Sequence, residues 1–135
     1  MSETFQKHSF YAKLIHKVRE LLKLSRLYLN HAPHFEKYGL CQELWVKELS
    51  ILTLVVKCQK KYYNKTTLTE LDIAHEQTRE LWQIFFDLGY FNYTKHKKEE
   101  DDAKAFRRFT AINVKMNEIG RMIGGLISNA QSEVK

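Results

Sequence analysis

TLTELDIAHEQTRELWQIFFDLG, residues 67–89, is the stretch that settles the fold class. Thr67-Leu68-Thr69-Glu70 has the form of a capping box, with the Thr67 hydroxyl as N-cap and Glu70 reaching back to the cap amide. Asp72 adds a carboxylate in the first turns, where the helix dipole favours negative charge. Leu71, Ala74, Thr78, Leu81, Phe85 and Leu88 then recur at alternating steps of three and four, a heptad-like seam suited to shallow helix crossings. Gly89 supplies the left-handed residue that closes such a helix. The stretch therefore predicts a helix over 68–88 that buries one face in a bundle.

Working outward, helix two is expected over 39–63. Leu49, Leu52, Val56 and Tyr63 form one stripe, and Trp45, Ile51, Leu54 and Val55 widen it until most of the circumference is apolar. A helix apolar on two sides has neighbours on two sides, and one of them can be another subunit. Helix one is expected over 9–30, with Leu14, Ile15, Val18, Leu21, Leu22 and Leu29 on one side, and it stops before Pro33. Helix four is expected over 102–130, with the stripe Phe106, Phe109, Ile112, Met116, Ile119, Ile123 and Ile127. The segment from Tyr90 to Asp102 reads as a solvated polar connection whose acidic half prepares a helix N-terminus. No repeat and no alternating strand is found. The expectation is a single all-α domain over 1–135, an up-down antiparallel four-helix bundle, rod-shaped because its helices are long.

A chain of 135 residues with one proline and five glycines suits few turns and long helices. Its longest apolar run, Leu49 to Val56, is broken by Ser50 and Thr53 and is far short of the roughly 20 residues of a membrane span. Met1 to Phe10 holds no apolar signal region, which points to the cytoplasm. Cys41 and Cys58 read as free thiols packed like small apolar residues, since a zinc site needs more ligands at closer spacing.

Net charge is +6, unevenly spread. Residues 1–31 and 37–65 each carry six basic and two acidic side chains, whereas 66–90 carries five acids against Arg79 alone. A field this lopsided favours a polyanionic partner. Lys57, Lys60, Lys61 and Lys65 fall at the end of helix two with no acid between residues 57 and 65, interleaved with Tyr62 and Tyr63. Lysines beside aromatic rings suit phosphate contact and base stacking. They equally suit a solvated face near a helix C-terminus. Arg107 and Arg108 on helix four, and Lys13, Lys17, Lys23 and Arg26 on helix one, add to the basic surface.

Catalytic and metal signals are weak. His31 and His34 flank Pro33, an unsuitable ligand spacing, and no Glu-x-x-His pairs recur as in di-iron bundles. There is no phosphate loop after a strand and no nucleophile elbow. Glu99-Glu100-Asp101-Asp102 is a charge run. The chain reads as a non-enzyme without cofactor. Gly120 and Gly124, with Gly125 adjacent, lie inside helix four, where each glycine costs about 1 kcal/mol against alanine. Close approach of another backbone, within the bundle or between subunits, would compensate; a fraying helix end is the other reading.

Glu118-Ile119-Gly120-Arg121-Met122-Ile123-Gly124-Gly125-Leu126-Ile127 resembles the C-terminal signature of the accessory variability proteins (Avd) of diversity-generating retroelements. That signature runs acidic, apolar, Gly-Arg, two apolar, Gly, small, Trp. Pro33 to Leu40 is similar to the family's connection between helices one and two, and Leu68 to Tyr90 to its third helix and following turn. The likeness spans about Leu14 to Ser128, and only the C-terminal signature is specific. Leu126 departs from it, standing where the family often has Trp. A sibling family, four-helix proteins encoded in intervening sequences of large-subunit ribosomal RNA genes, usually carries an Asn-Ile-x-Glu-Gly-like run in helix two; here the region reads Leu54-Val55-Val56-Lys57-Cys58.

The resemblance implies a four-helix bundle assembled into a homopentameric barrel. It implies binding to a reverse transcriptase and its template RNA, or an RNA/DNA hybrid, in support of error-prone cDNA synthesis, in a prokaryotic or phage setting. The residues expected to touch RNA or partner are Arg26, Lys57, Lys60, Lys61, Lys65, Arg107, Arg108 and Arg121, and Gly120, Gly124 and Gly125 serve close helix packing. The competing reading is a non-enzymatic assembly scaffold of the sibling type without strong RNA affinity.

Overall fold

The computed structural model describes the backbone of residues 3–133 and the side chains of residues 7–131; the remainder of the domain expected over 1–135 lies outside the described residues. Four helices make the body: α1 (Glu3–Leu29), α2 (Leu40–Lys60), α3 (Lys65–Asp87) and α4 (Asp102–Glu133). Each packs on two others in the closed order α1, α2, α3, α4 and back to α1. No helix among the described residues is long and apolar enough to cross a membrane.

The core is a single cluster. Tyr11, Leu14, Val18 and Leu21 of α1 meet Ile112, Met116, Ile119 and Ile123 of α4, all of them buried. Phe106, expected in the α4 stripe, is 62% exposed, and its neighbour Ala105 takes the buried position. Leu126, the departure from the Trp of the signature, is buried.

On α2 the buried side is Cys41, Leu44, Glu48, Ile51, Leu54, Val55 and Cys58. The expected stripe is out of phase with it. Leu49 and Val56 are exposed, and Tyr63 lies beyond the helix, which ends at Lys60. The cause is Glu48, a carboxyl sitting in the middle of the apolar side. Ser25 Oγ lies 2.5 Å from Glu48 Oε1, and Trp82 Nε1 donates to Glu48 Oε2 at 2.9 Å. Burial pushes the Glu48 carboxyl up to about 8.

α3 begins three residues earlier than its capping box suggests. Leu68 N–H already donates to Asn64 O, so Thr67 sits inside the first turn, buried, and is not the N-cap. Its hydroxyl accepts a hydrogen bond from Lys61 Nζ. Asn64 makes no side-chain cap. Its Nδ2 turns inward instead, donating to the Cys58 carbonyl and to the Tyr11 hydroxyl, which fastens the α2–α3 turn to α1. At the other end Gly89, with φ 77°, closes α3 as expected. The seam holds at Leu71, Ala74, Thr78 and Phe85, whereas Leu88 is exposed.

The segment after Gly89 is not a plain solvated loop. A 3-10 turn, Tyr90–Asn92, drives Tyr90 and Phe91 into the core, and a short antiparallel pair follows, β1 (Tyr93–Thr94) with β2 (Lys97–Lys98). Phe91 stacks on Trp82 with centroids 5.7 Å apart and meets Phe85 edge-on at 4.8 Å. Asp101 Oδ1 then accepts the Lys104 amide and caps α4. Across from this hairpin, Glu36 holds the α1–α2 connection. Its Oε1 accepts the Leu40 amide at the start of α2, and its Oε2 accepts the Tyr90 hydroxyl at 2.7 Å. A Cβ on Gly39 would lie 2.5 Å from that Oε1, so a larger residue here would push the Glu36 carboxylate aside.

Candidate nucleic-acid interface

Lys57, Lys60, Lys61 and Lys65 come together where α2 turns into α3, all exposed. The turn leaves Tyr62 86% and Tyr63 87% exposed, with their rings edge-to-face at 4.8 Å. Two large rings in water, among ammonium groups and without an acid between residues 57 and 65, form a surface that can hold phosphates and stack unpaired bases. Lys61 is anchored to Thr67 at 3.2 Å, which fixes its position relative to α3.

The other expected contacts lie elsewhere. The α1–α2 connection and the α3–α4 hairpin share the opposite end, joined by the His96 amide donating to His31 O. α2, with 21 residues and a length of ~30 Å, separates that end from the lysine turn. Arg26 lies in the last turn of α1, its guanidinium over the Trp45 ring. Arg107 is exposed near the start of α4. Arg108 is occupied by the hairpin. Its Nη1 donates to the carbonyls of Phe91 and Tyr93, and its Nη2 to Thr94 Oγ1. Arg108 thus clamps the hairpin to α4 through its own chain's carbonyls and the Thr94 hydroxyl. Arg121 is exposed further along α4. Lys17 of the basic α1 surface is tied to Glu118 of α4 at 3.2 Å, beside the Lys115–Glu20 pair at 2.7 Å that holds the Glu20 carboxyl below its ordinary range.

The three glycines divide. At Gly120 a Cβ would lie 2.9 Å from His75 Cε1. The ring of His75, on α3, fills that space, with Nε2 2.7 Å from the Met116 carbonyl. Burial pushes the His75 imidazole below its ordinary value, which keeps it neutral against the helix. Close packing at Gly120 is thus between α3 and α4. A Cβ added at Gly124 or Gly125 would meet nothing within 4 Å. Gly124→Ala should therefore raise the melting stability of the isolated chain by up to about 1 kcal/mol through helix propensity. Gly120→Ala should lower it by displacing His75. Urea denaturation of both variants checks this; a gain at both positions would mean that the His75 contact is not formed.

Cys41 and Cys58 are free and buried, and burial pushes both thiols up to about 11, away from reactivity. They lie 17 positions apart on one helix, about 25 Å, which excludes pairing with each other. His31 and His34 are engaged with the hairpin, as described below. No group of His, Cys, Asp and Glu suited to a metal ion occurs among the described residues.

The fold and the lysine turn define a helical-bundle protein with a basic, aromatic end. No family model, curated protein or solved structure matches the chain.

Proposed function

We propose that this chain is an accessory protein of a diversity-generating retroelement, binding the element's reverse transcriptase and its template RNA in support of error-prone cDNA synthesis. The observation that carries the reading is the acid-free turn of Lys57, Lys60, Lys61 and Lys65 around two rings almost wholly in water. The glycine-rich signature from Glu118 to Ile127 supports it from the sequence side. In this reading the helices run up and down and the protomer builds a ring-like homo-oligomer, a pentamer, in the cytoplasm of a prokaryote. Gly124 and Gly125 would give a neighbouring protomer close access to α4. Val46, Leu49 and Val56 on α2, and Ile73 and Ile84 on α3, all exposed, are apolar surface that assembly would cover. The chain supplies surface and no catalytic group of its own; the polymerase does the chemistry.

Charge reversal tests it. Lys57→Glu with Lys60→Glu should weaken binding to a structured RNA at least about tenfold, since each substitution removes a phosphate contact and adds repulsion. The helical circular dichroism should stay intact, because both side chains are exposed. Unchanged affinity would move the function to an assembly scaffold without RNA.

A further inference from the structure

We infer that the hairpin between α3 and α4 is held to the end of α1 by an acid-labile latch, in which neutral His31 accepts a hydrogen bond from the Lys95 amide and releases it on protonation. The Lys95 amide donates to His31 Nδ1 at 2.9 Å, so the ring carries its proton on Nε2 and Nδ1 must be bare. Two further bonds close the latch: the His96 amide to His31 O at 3.1 Å, and His96 Nδ1–H to Ala32 O at 2.8 Å. The His34 and His96 rings stack over it at 3.7 Å.

The hairpin cannot hold this shape unaided. Lys95 and His96 have φ of 51° and 71°, a left-handed pair without glycine, each strained by about 1 kcal/mol or more. The strands pair over two residues each, too few for independent stability. The tertiary bonds to His31 and Ala32 keep the turn in place. A proton on His31 Nδ1 turns the acceptor into a donor facing another donor. It also adds a cation to a group of cations: Arg108 and Lys104 from α4, and Lys95 and His96 from the hairpin. Glu99, a nearby carboxylate, is paired with Lys104.

Burial, then these cations, push the His31 imidazole below its ordinary 6.5. The folded form therefore holds fewer protons than the unfolded one. The latch is complete above pH 6.5 and is lost as pH falls through the folded value. Opening frees Lys95, Lys97 and Lys98 from a fixed geometry at the end of the bundle remote from the lysine turn.

The test is amide hydrogen exchange at Lys95 and His96 from pH 7.5 to 5, each rate taken relative to an unstructured peptide at the same pH. Protection in the unmodified chain should fall by up to about tenfold per pH unit as pH drops from 6.5 towards the folded pKa, and level off below it. His31→Asn places a non-titrating amide oxygen where Nδ1 stands, and protection should stay high throughout. His31→Phe removes the acceptor, and protection should be low at every pH. Protection independent of pH in the unmodified chain would overturn the proposal. So would a His31→Asn variant that loses protection as the unmodified chain does, since another group would then be the sensor. These two results decide the matter whatever the folding yield of His31→Phe.

Discussion

Trp82→Ala should destabilise the chain by about 3–5 kcal/mol, the range for removing a fully buried large aromatic. Trp82 is wholly buried, stacked on Phe91 and edge-on to Phe85 at 5.2 Å. It supports Phe91, which fixes the hairpin, and its indole N–H satisfies Glu48. Truncation opens a cavity at the junction of α3 and the hairpin and deprives a buried carboxyl of a donor. A domain of this kind has ~5–15 kcal/mol in total, so a large part would be lost. Trp82→Phe keeps a ring in the stack and loses the N–H, and its effect should be clearly smaller. Urea denaturation followed by circular dichroism reads both. A loss under about 1 kcal/mol for Trp82→Ala would mean that the aromatic end of the bundle is not packed in solution.

The second large effect is a pH dependence centred on Glu48. Ser25 Oγ approaches both Glu48 Oε1 at 2.5 Å and the Leu22 carbonyl at 3.1 Å. One hydroxyl hydrogen cannot serve two acceptors. A protonated Glu48 resolves this: its O–H donates to Ser25, Ser25 donates to Leu22, and Trp82 donates to the other carboxyl oxygen. The folded carboxyl titrates at about 8 against 4.5 when unfolded, so between those values the folded chain holds a proton that the unfolded chain lacks. Stability from this group is complete below pH 4.5 and falls with rising pH, by up to about 1.4 kcal/mol per unit, until pH 8. Glu48→Gln keeps the three contacts, with its amide N–H toward Ser25 and its carbonyl toward Trp82. It should flatten the slope and leave the variant more stable than the unmodified chain at pH 8. Identical pH profiles for the two proteins would show that Glu48 is not buried as a neutral acid.

These two residues also show why the fold was partly legible. α3 could be read because its seam is apolar or small at nearly every step and ends on a glycine. α2 could not be phased, because Glu48 stands at the centre of its buried side and a charged residue argues for the surface. Only Ser25 and Trp82, distant in sequence, make the position tenable. The hairpin escaped notice for a related reason. Phe91 follows a helix stop, outside any periodic pattern, and a left-handed turn at Lys95 and His96 lacks the glycine that would announce it. Thr67 matched a capping box in letters, yet Asn64 was needed inside to satisfy Cys58 and Tyr11, so the helix started earlier.

The candidate interface was legible where it is local. Lys57 to Lys65 is a run without acids, and the helix end that exposes it also exposes Tyr62 and Tyr63. The clamp that Arg108 makes on the hairpin was not legible, because its partners, two backbone carbonyls and the Thr94 hydroxyl, have no signature in sequence. Gly120 was recognised as a close approach, but the group it admits is an imidazole from α3, which spacing within α4 cannot reveal.

The most direct measurement of the central claim is a gel-shift titration of the purified protein with a structured RNA across rising salt. The account predicts tight binding at low salt, with log affinity falling linearly against log salt at a slope of roughly −2 to −4, as a few lysines displace counterions. No binding at low salt, or an affinity indifferent to salt, would contradict it and leave the lysine turn a solvated surface.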